Sequence, residues 1–173
     1  KEFSQHKVFS DVCRDLIGPN VRLYWDQAVY KKPGTKDEFP WHQDNGYTFI
    51  EPQAYLTCWI ALTDTDETNG CPWVMPGLHK RGTLFHEPTD LGHKIPLDSS
   101  GSVCLPLKAG SIAIFSSLTP HRTGPNLSDN IRKSYILQYA PEGSKRLISQ
   151  SLTEEVNDES RQFLILKDGQ EVN

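Results

Sequence analysis

Short strand-like segments separated by turns are the feature that most constrains the fold of this chain. They are rich in β-branched and aromatic residues, and 12 glycines and 12 prolines interrupt the sequence. They occupy residues 20–30, 54–63, 71–75, 103–105, 111–115 and 134–139. In the first, Val21, Leu23 and Trp25 alternate as on one face of an amphipathic strand, whereas residues 7–17 show helical spacing. This pattern predicts an all-β barrel or sandwich with a few flanking helices.

The length and charge of the chain limit its domain number and its partners. A chain of 173 residues predicts a single domain, here residues 1–173. Its mean hydropathy of -0.53 is typical of a soluble globular protein. The formal net charge of -4 argues against nucleic acid or an anionic membrane as the main partner. No segment approaches the ~20 consecutive apolar residues that span a bilayer.

The cysteines are predicted to be reduced. The chain contains Cys13, Cys58, Cys71 and Cys104, with no Cys-x-x-Cys pair. Three of them lie in apolar, strand-like surroundings, which favours buried free thiols over a disulfide framework. Because free thiols are typical of a reducing compartment, a cytoplasmic location is expected.

Two histidines and one aspartate form the most informative polar pattern. On an extended segment, residues two apart point to the same side, so His42 and Asp44 can reach one ion while Gln43 points away. His121 follows the apolar segment 111–115, which predicts a buried strand. Two imidazoles and one carboxylate are the facial triad that binds Fe(II) and leaves the opposite positions open. The alternative is that two of the three are hydrogen-bonded polar residues at a barrel mouth.

Arg132 is a candidate carboxylate clamp. It precedes the strand-like segment 134–139, where alternation places it and Lys133 on opposite faces. A guanidinium that points inward can bind a carboxylate through two parallel hydrogen bonds. A metal triad with such a clamp favours an oxygenase that uses a 2-oxoacid. An ordinary surface cation is the alternative.

The sequence resembles the phytanoyl-CoA dioxygenase-like family of Fe(II)/2-oxoglutarate oxygenases. The resemblance rests on ordered blocks over roughly residues 20–140: Trp41-His42-Gln43-Asp44, residues 58–64, residues 69–80, residues 110–115, and residues 119–126 followed by Arg132. An isolated His-x-Asp is weak, but the ordered set is specific. Leu78 stands where the family usually has serine. Family members usually carry additional N-terminal sequence before the first block. This chain is therefore expected to lack an N-terminal segment.

The resemblance implies a fold and a chemistry. The fold would be a double-stranded β-helix, the cupin-like jelly-roll, with Fe(II) held by His42, Asp44 and His121 at its open mouth. The cosubstrate would be 2-oxoglutarate. With dioxygen, the enzyme would hydroxylate a C–H bond of a small organic molecule or acyl ester and release succinate and carbon dioxide. Asp44 argues against halogenation, because related halogenases carry a small residue at this position.

The resemblance also implies which side chains contact the cosubstrate. It assigns Arg132 to the distal carboxylate of 2-oxoglutarate and Thr123 as a second donor to it. It places Trp59, Gln27 and Tyr24 near the same molecule. The residues alone leave alternatives open, because Thr123 precedes a Gly-Pro turn and a tryptophan in an apolar strand is usually part of the core.

Other polar residues near these blocks have less specific patterns. His79, His86 and His93 recur every seven residues, but glycine and proline break the segment, so solvated loop histidines are favoured over a second metal site. The loop from about 77 to 101 is long enough to act as a lid. Asn45, Tyr47 and Phe49 follow the first ligands and are predicted to face the substrate.

Two hypotheses compete with an active enzyme. One is a non-catalytic cupin-like module that binds metal or ligand, although a bare metal binder needs no clamp such as Arg132. The other is a truncated, inactive member of the family, motivated by the expected lack of an N-terminal segment. The substrate and the oligomeric state do not follow from the sequence.

Overall fold

Strands dominate the computed structural model, which describes residues 1–172. The helices are α1 (Lys7–Leu16) and α2 (Asp44–Tyr47), with 3-10 turns at Phe3–Gln5 and Leu78–Arg81. The strands are β1 (Val21–Lys31), β2 (Phe39–His42), β3 (Ile50–Glu51), β4 (Leu56–Ala61), β5 (Pro72–Val74), β6 (Glu87–Thr89), β7 (Gly92–Lys94), β8 (Val103–Cys104), β9 (Ile112–Ser116), β10 (His121–Thr123), β11 (Arg132–Pro141), β12 (Lys145–Leu147), β13 (Thr153–Glu155), β14 (Leu164–Lys167) and β15 (Gln170–Glu171). Within this part of the chain, no helix has the length and apolarity needed to cross a membrane.

Two antiparallel sheets build the body of the fold. The larger has the order β15-β14-β1-β11-β4-β9, and the smaller has the order β2-β10-β5-β8. Along the chain, the strands pass back and forth between them: β1, β4, β9 and β11 belong to the larger sheet, and β2, β5, β8 and β10 to the smaller. This alternation is the double-stranded β-helix, so the predicted jelly-roll class is confirmed.

Helix α1 covers the outer face of the larger sheet. Its buried residues Phe9 and Cys13 pack in one cluster with Leu137 and Tyr139 of β11. The helical spacing of residues 7–17 arises because only one stripe of the helix faces this cluster. The helix ends just before Gly18, whose φ of 138° is favourable only for glycine. The predicted helix is therefore confirmed.

A β-bulge in β1 moves its side chains from one face of the sheet to the other. The register against β11 shifts between Leu23 and Trp25. Leu23 is buried in the cluster under α1, whereas Trp25 is 40% exposed and lines the space between the two sheets. The prediction that Val21, Leu23 and Trp25 lie on one face of the strand is therefore wrong for Trp25. From that residue onward, every second side chain of β1 points inward, which includes Gln27 and Lys31.

The loop predicted at about residues 77–101 contains regular structure, a 3-10 turn and the hairpin β6–β7. The residues before His42 form strand β2. In the C-terminal part, β12 pairs with both β13 and β3. Further along the chain, β14 pairs with β1.

The cysteines are free thiols, as predicted. Cys13, Cys58 and Cys71 are buried, and Cys104 is partly buried. Burial raises the pKa of Cys58 to about 12. Cys71 and Cys104 lie beside each other, with their sulfur atoms 3.1 Å apart.

Candidate metal centre

His42, Asp44 and His121 converge at one end of the space between the sheets. His42 ends β2 and His121 begins β10, and the two are direct partners across the ladder. Asp44 follows at the start of α2. Its Oδ1 atom lies 3.9 Å from His42 Nε2 and 3.7 Å from His121 Nε2, and the candidate ligand atoms all lie within 4.8 Å of one another. Residues 1–172 contain no second group of this kind.

Backbone carbonyls orient both imidazole rings. His42 Nδ1 lies 2.8 Å from the carbonyl oxygen of Pro40, and His121 Nδ1 lies 3.0 Å from that of Thr119. Nδ1–H donation to these oxygens leaves the lone pairs of both Nε2 atoms free on the side that faces Asp44, which is how metal-binding histidines are usually fixed. Burial, followed by the neighbouring His121, holds the pKa of His42 well below its ordinary value. The ring is therefore neutral, the form that binds a metal.

Thr57 of β4 fixes the carboxylate. Its hydroxyl donates to Asp44 Oδ2 and accepts a hydrogen bond from Gln138 Nε2 at 3.4 Å. This leaves Oδ1 of Asp44 directed to the histidines. Sequence reasoning missed Thr57, although a signal was present. It lies two residues before Trp59 in a predicted strand, and so on the same face.

We expect Thr57→Val to weaken Fe(II) binding by about 10- to 100-fold, the usual effect of losing a group that supports a metal ligand. Valine has nearly the same shape but cannot donate to Asp44, so the fold should persist. Anaerobic titration with Fe(II) measures the change. Thr63→Val is the matched control, because the Thr63 hydroxyl accepts from the backbone of Lys133 outside the site. Equal Fe(II) affinity in both variants would show that Thr57 does not support the ligand.

Gln43 turns away from the site, as the alternation of side chains predicts. Its side-chain amide is fully buried and donates to the carbonyl oxygens of Gly82 and Leu118 at 3.0 and 2.6 Å. Its Oε1 accepts from the backbone N–H of Leu84 at 2.7 Å. The residue between the two ligands therefore ties their backbone to two neighbouring loops.

His86 supports the same backbone. Its Nε2 accepts from the backbone N–H of Gln43 at 3.0 Å, and its ring packs so closely on Gly46 that a Cβ there would lie 2.1 Å from it. The prediction of a solvated loop histidine is therefore wrong for His86. His79 and His93 join no metal-ligand group in the described residues.

The residues after the first ligands differ in what they face. Tyr47 lines the inner cavity, and its ring centroid lies 5.3 Å from that of His42. Asn45 does not face the substrate space, because its buried amide donates to Thr83 and accepts from the backbone of Ile50. Phe49 is not among the side chains that line the cavity. The prediction is wrong for these two residues.

An open cavity of about 670 Å³ adjoins His42 and Asp44. Tyr24 and Gln27 line it, as do Tyr55, Thr48 and Gln138. Residues from the C-terminal part form its rim, where Arg146 pairs with Glu154 and the Arg161 guanidinium lies 4.7 Å from the Trp25 ring. Asn157, Asp158, Arg161 and Gln162, from the polar segment 157–162, also contribute to this wall.

Arg132 is buried without an anionic partner. Arg132 is only 1% exposed. Its guanidinium lies 5.4 Å from the Trp59 ring, and its Nη1 donates to Ser134 Oγ at 2.7 Å. Its Nε has no hydrogen-bond acceptor, and no carboxylate among residues 1–172 forms a salt bridge with it. Burial lowers its pKa to about 10. A buried cation without a counterion is costly, so this arrangement has the properties of an anion site.

Thr123 lies on the same inner side as His121, two residues further along β10. Its hydroxyl lies 3.4 Å from Lys31 Nζ. The structure therefore places the residues expected to bind cosubstrate in two groups. Tyr24 and Gln27 are in the open cavity, and Arg132 with Trp59 is deeper between the sheets.

A jelly-roll with two imidazoles and one carboxylate at its mouth defines a candidate non-haem iron centre. The family model for phytanoyl-CoA dioxygenase matches residues 1–134. The chain belongs to the phytanoyl-CoA dioxygenase family.

Individual proteins are also similar to this chain in sequence or structure. The chain is 33% identical over 142 residues to phytanoyl-CoA dioxygenase 1 of Oryza sativa subsp. japonica, covering 74% of the chain and 48% of the relative. It is 32% identical over 130 residues to a methylphosphonate hydroxylase of Gimesia maris, covering 75% and 49%. EvdO2 of Micromonospora carbonacea var. aurantiaca, solved with 2-oxoglutarate, is 25% identical with a TM-score of 0.70, covering 91% of this chain and 65% of EvdO2. The chain spans about half the length of the curated relatives it matches.

Proposed function

We propose that this protein is an Fe(II)/2-oxoglutarate-dependent dioxygenase that hydroxylates a C–H bond of a small organic molecule. The balanced reaction consumes the substrate, 2-oxoglutarate and dioxygen, and yields the hydroxylated product, succinate and carbon dioxide. The observation that carries the proposal is the joint geometry of two sites. The His42–Asp44–His121 triad has its Nε2 and Oδ1 atoms directed to one point, and the unpaired Arg132 lies in the same inter-sheet space.

The donor set fits Fe(II), because two neutral imidazoles and one carboxylate leave half of an octahedral coordination sphere open. When bound, the iron supplies the activation of dioxygen that is coupled to oxidation of the 2-oxoacid. The residues of the chain bind and orient the metal and the cosubstrate. The triad holds the metal, Thr57 holds the carboxylate, and Arg132 provides the cation for the distal carboxylate of the cosubstrate.

The cavity wall favours a small polar substrate over a long acyl chain. Tyr24, Gln27 and Gln138 contribute polar side chains to the wall beside the metal site. The rim carries both signs of charge, with Arg146 and Arg161 beside Glu154 and Asp158. Polar groups that a hydrocarbon chain would leave unpaired discriminate strongly against it. The relative named a methylphosphonate hydroxylase is consistent with a small polar substrate.

Turnover without substrate tests the proposal. Under anaerobic conditions, 2-oxoglutarate added to the Fe(II)-loaded protein should produce a weak visible absorption band. Admission of dioxygen should then release succinate slowly, because the oxidation of 2-oxoglutarate proceeds without a hydroxylation target. Asp44→Ala should lose most of this succinate, whereas Asp15→Ala, which removes an exposed carboxylate of helix α1 on the outer face of the larger sheet, should retain it.

The binding-module hypothesis predicts the opposite result. A module that only holds metal would bind Fe(II) through His42, Asp44 and His121, but would give neither the absorption band nor succinate. That outcome in the iron-loaded protein would contradict the oxygenase proposal. Quantification of succinate by mass spectrometry decides between the two.

A further inference from the structure

Lys31 and Arg132 face each other at the ends of two adjacent strands. They are direct partners in the ladder between β1 and β11. Because opposite residues of an antiparallel pair project to the same side, both long cationic side chains start from the inner face of the sheet. Like charges directly opposite each other are destabilising, so this pair requires a compensating feature.

The contacts of both side chains within the described residues are to neutral acceptors. The Lys31 ammonium lies 3.4 Å from Thr123 Oγ1, 3.5 Å from the Thr123 carbonyl oxygen and 3.4 Å from the Asp37 carbonyl oxygen, and it also donates to the Gly124 carbonyl. The Arg132 guanidinium donates to Ser134, and its buried Nε has no acceptor. Two cations therefore share one interior region, and neither forms a salt bridge with a carboxylate of residues 1–172.

The pKa of Lys31 reflects a buried ammonium that forms no salt bridge with the described carboxylates. Burial, followed by the charge of Arg132, lowers the pKa of Lys31 to about 8. The carboxylates of Glu38 and Asp37 act in the opposite direction but do not restore the ordinary value. From β10, Thr123 and Gly124 present only uncharged oxygens. A carboxylate bound beside Lys31 would therefore favour its protonated form.

The position matches the far end of the cosubstrate. Thr123 follows the metal ligand His121 by two residues on β10, a span of about 6.6 Å along a strand. A 2-oxoacid that chelates the metal through its keto oxygen and first carboxylate would project its other end along this strand. We propose that Lys31 is a second cationic contact for the distal carboxylate of 2-oxoglutarate, which would lie between Lys31 and Arg132. This inference rests on the proposed function.

Paired ligands separate recognition of the distal carboxylate from general damage to the site. In the Ni(II)-loaded protein, isothermal titration compares 2-oxoglutarate with 2-oxopentanoate, which has the same chain length but no distal carboxylate. Lys31→Met should weaken 2-oxoglutarate binding by about 10- to 100-fold, the effect of one hydrogen bond to a charged group, and should leave 2-oxopentanoate unchanged. Lys31→Arg should retain most of the preference. Lys133→Met, on the exposed face of the neighbouring strand β11, is the matched control and should behave as wild type.

Proton uptake gives a second readout that a structural lysine would not produce. At about pH 8.5, a substantial fraction of Lys31 is neutral in the free protein, because its pKa is lowered to about 8. Binding of the dianion raises this pKa, so the protein takes up protons, and 2-oxoglutarate affinity falls as pH rises above 8. The binding heat of wild type should therefore depend on the ionisation enthalpy of the buffer. Lys31→Arg should lose this dependence, because arginine stays charged.

The outcomes separate this inference from the proposed function. Equal 2-oxoglutarate affinity in Lys31→Met and wild type, or equal weakening of both ligands, would overturn the role of Lys31 while leaving the oxygenase proposal intact. In that case, Lys31 only ties the carbonyls of Thr123 and Gly124. Failure of the Ni(II)-loaded wild type to bind 2-oxoglutarate would overturn the proposed function together with this inference. Selective loss of the 2-oxoglutarate preference in Lys31→Met, with Ni(II) affinity unchanged, supports it.

Discussion

Replacement of Asp44 by alanine should abolish tight Fe(II) binding and leave the fold largely intact. Asp44 supplies the only carboxylate within reach of His42 and His121 in the described triad, and loss of a direct ligand exceeds the ~10- to 100-fold effect of losing a supporting residue. The same result is expected for His42→Ala and His121→Ala. None of the three side chains belongs to a hydrophobic cluster, although the His121 ring lies 4.7 Å from the Phe115 ring, so unfolding free energies should change by only about 1–2 kcal/mol.

Iron content after anaerobic dialysis, together with thermal unfolding of the metal-free proteins, measures both parts of this expectation. His79→Ala is the matched control, because it removes an imidazole that belongs to no ligand group in the described part of the chain. Stoichiometric iron in all three triad variants would show that the metal is held elsewhere. Unfolded variants would show that the triad is structural, which the alternative reading of these residues as satisfied polar groups predicts.

The central strands could be predicted because each has a distinct environment on its two faces. In β4, all six residues are buried, since the outer face meets α1 and the inner face meets the filled part of the barrel. Such a segment reads as a continuous apolar run bounded by turns. The metal ligands could be predicted for a related reason. The spacing of His42 and Asp44 is local. His121 follows the apolar segment 111–115, which by itself predicts a buried strand.

The bulge in β1 could not be predicted from the alternation of its side chains. Val21, Leu23 and Trp25 satisfy a strand period of two, and nothing in the pattern reveals that the register shifts before Trp25. The shift has a functional consequence, because it directs Gln27 and Lys31 into the barrel. The pairing of Lys31 with Arg132 depends on the register between two residues that are 101 positions apart in the sequence, so local patterns cannot predict it.

The contribution of the C-terminal strands to the cavity wall could not be predicted, for another reason. β12 and β13 are short, charged and largely exposed, so they have no period that distinguishes them from a solvated tail. β12 becomes a strand because β3 offers it an edge, and β13 in turn pairs with β12. His86 is similar, since its contact with Gln43 joins two loops that are distant in sequence. Each of these features is decided by tertiary pairing rather than by the residues of the segment itself.

Arg132 provides the second large effect expected for this protein. Arg132→Lys keeps a positive charge but loses the planar fork that binds a carboxylate through two hydrogen bonds, so affinity for 2-oxoglutarate should fall by about 1–3 kcal/mol. Arg132→Met removes the charge as well and should lower the affinity further. Fe(II) affinity should be nearly unchanged in both, because Arg132 stacks on Trp59 and Ser134 accepts its hydrogen bond, while none of these groups contacts the triad ligands.

The same buried position makes stability an informative control for these variants. Arg132 leaves Nε without a partner and places its guanidinium in the interior, so replacing it by methionine removes an uncompensated charge and should not destabilise the ligand-free protein. Arg22→Lys is the matched comparison, since Arg22 is also buried in the larger sheet but is paired with Glu142 near the opposite end of the β1–β11 ladder from Arg132. It should retain wild-type affinity for 2-oxoglutarate. If both Arg132 variants bind 2-oxoglutarate as wild type does, the carboxylate clamp lies elsewhere. A methionine variant that is stable without ligand, yet fails to bind 2-oxoglutarate, would show that the buried cation serves recognition rather than folding.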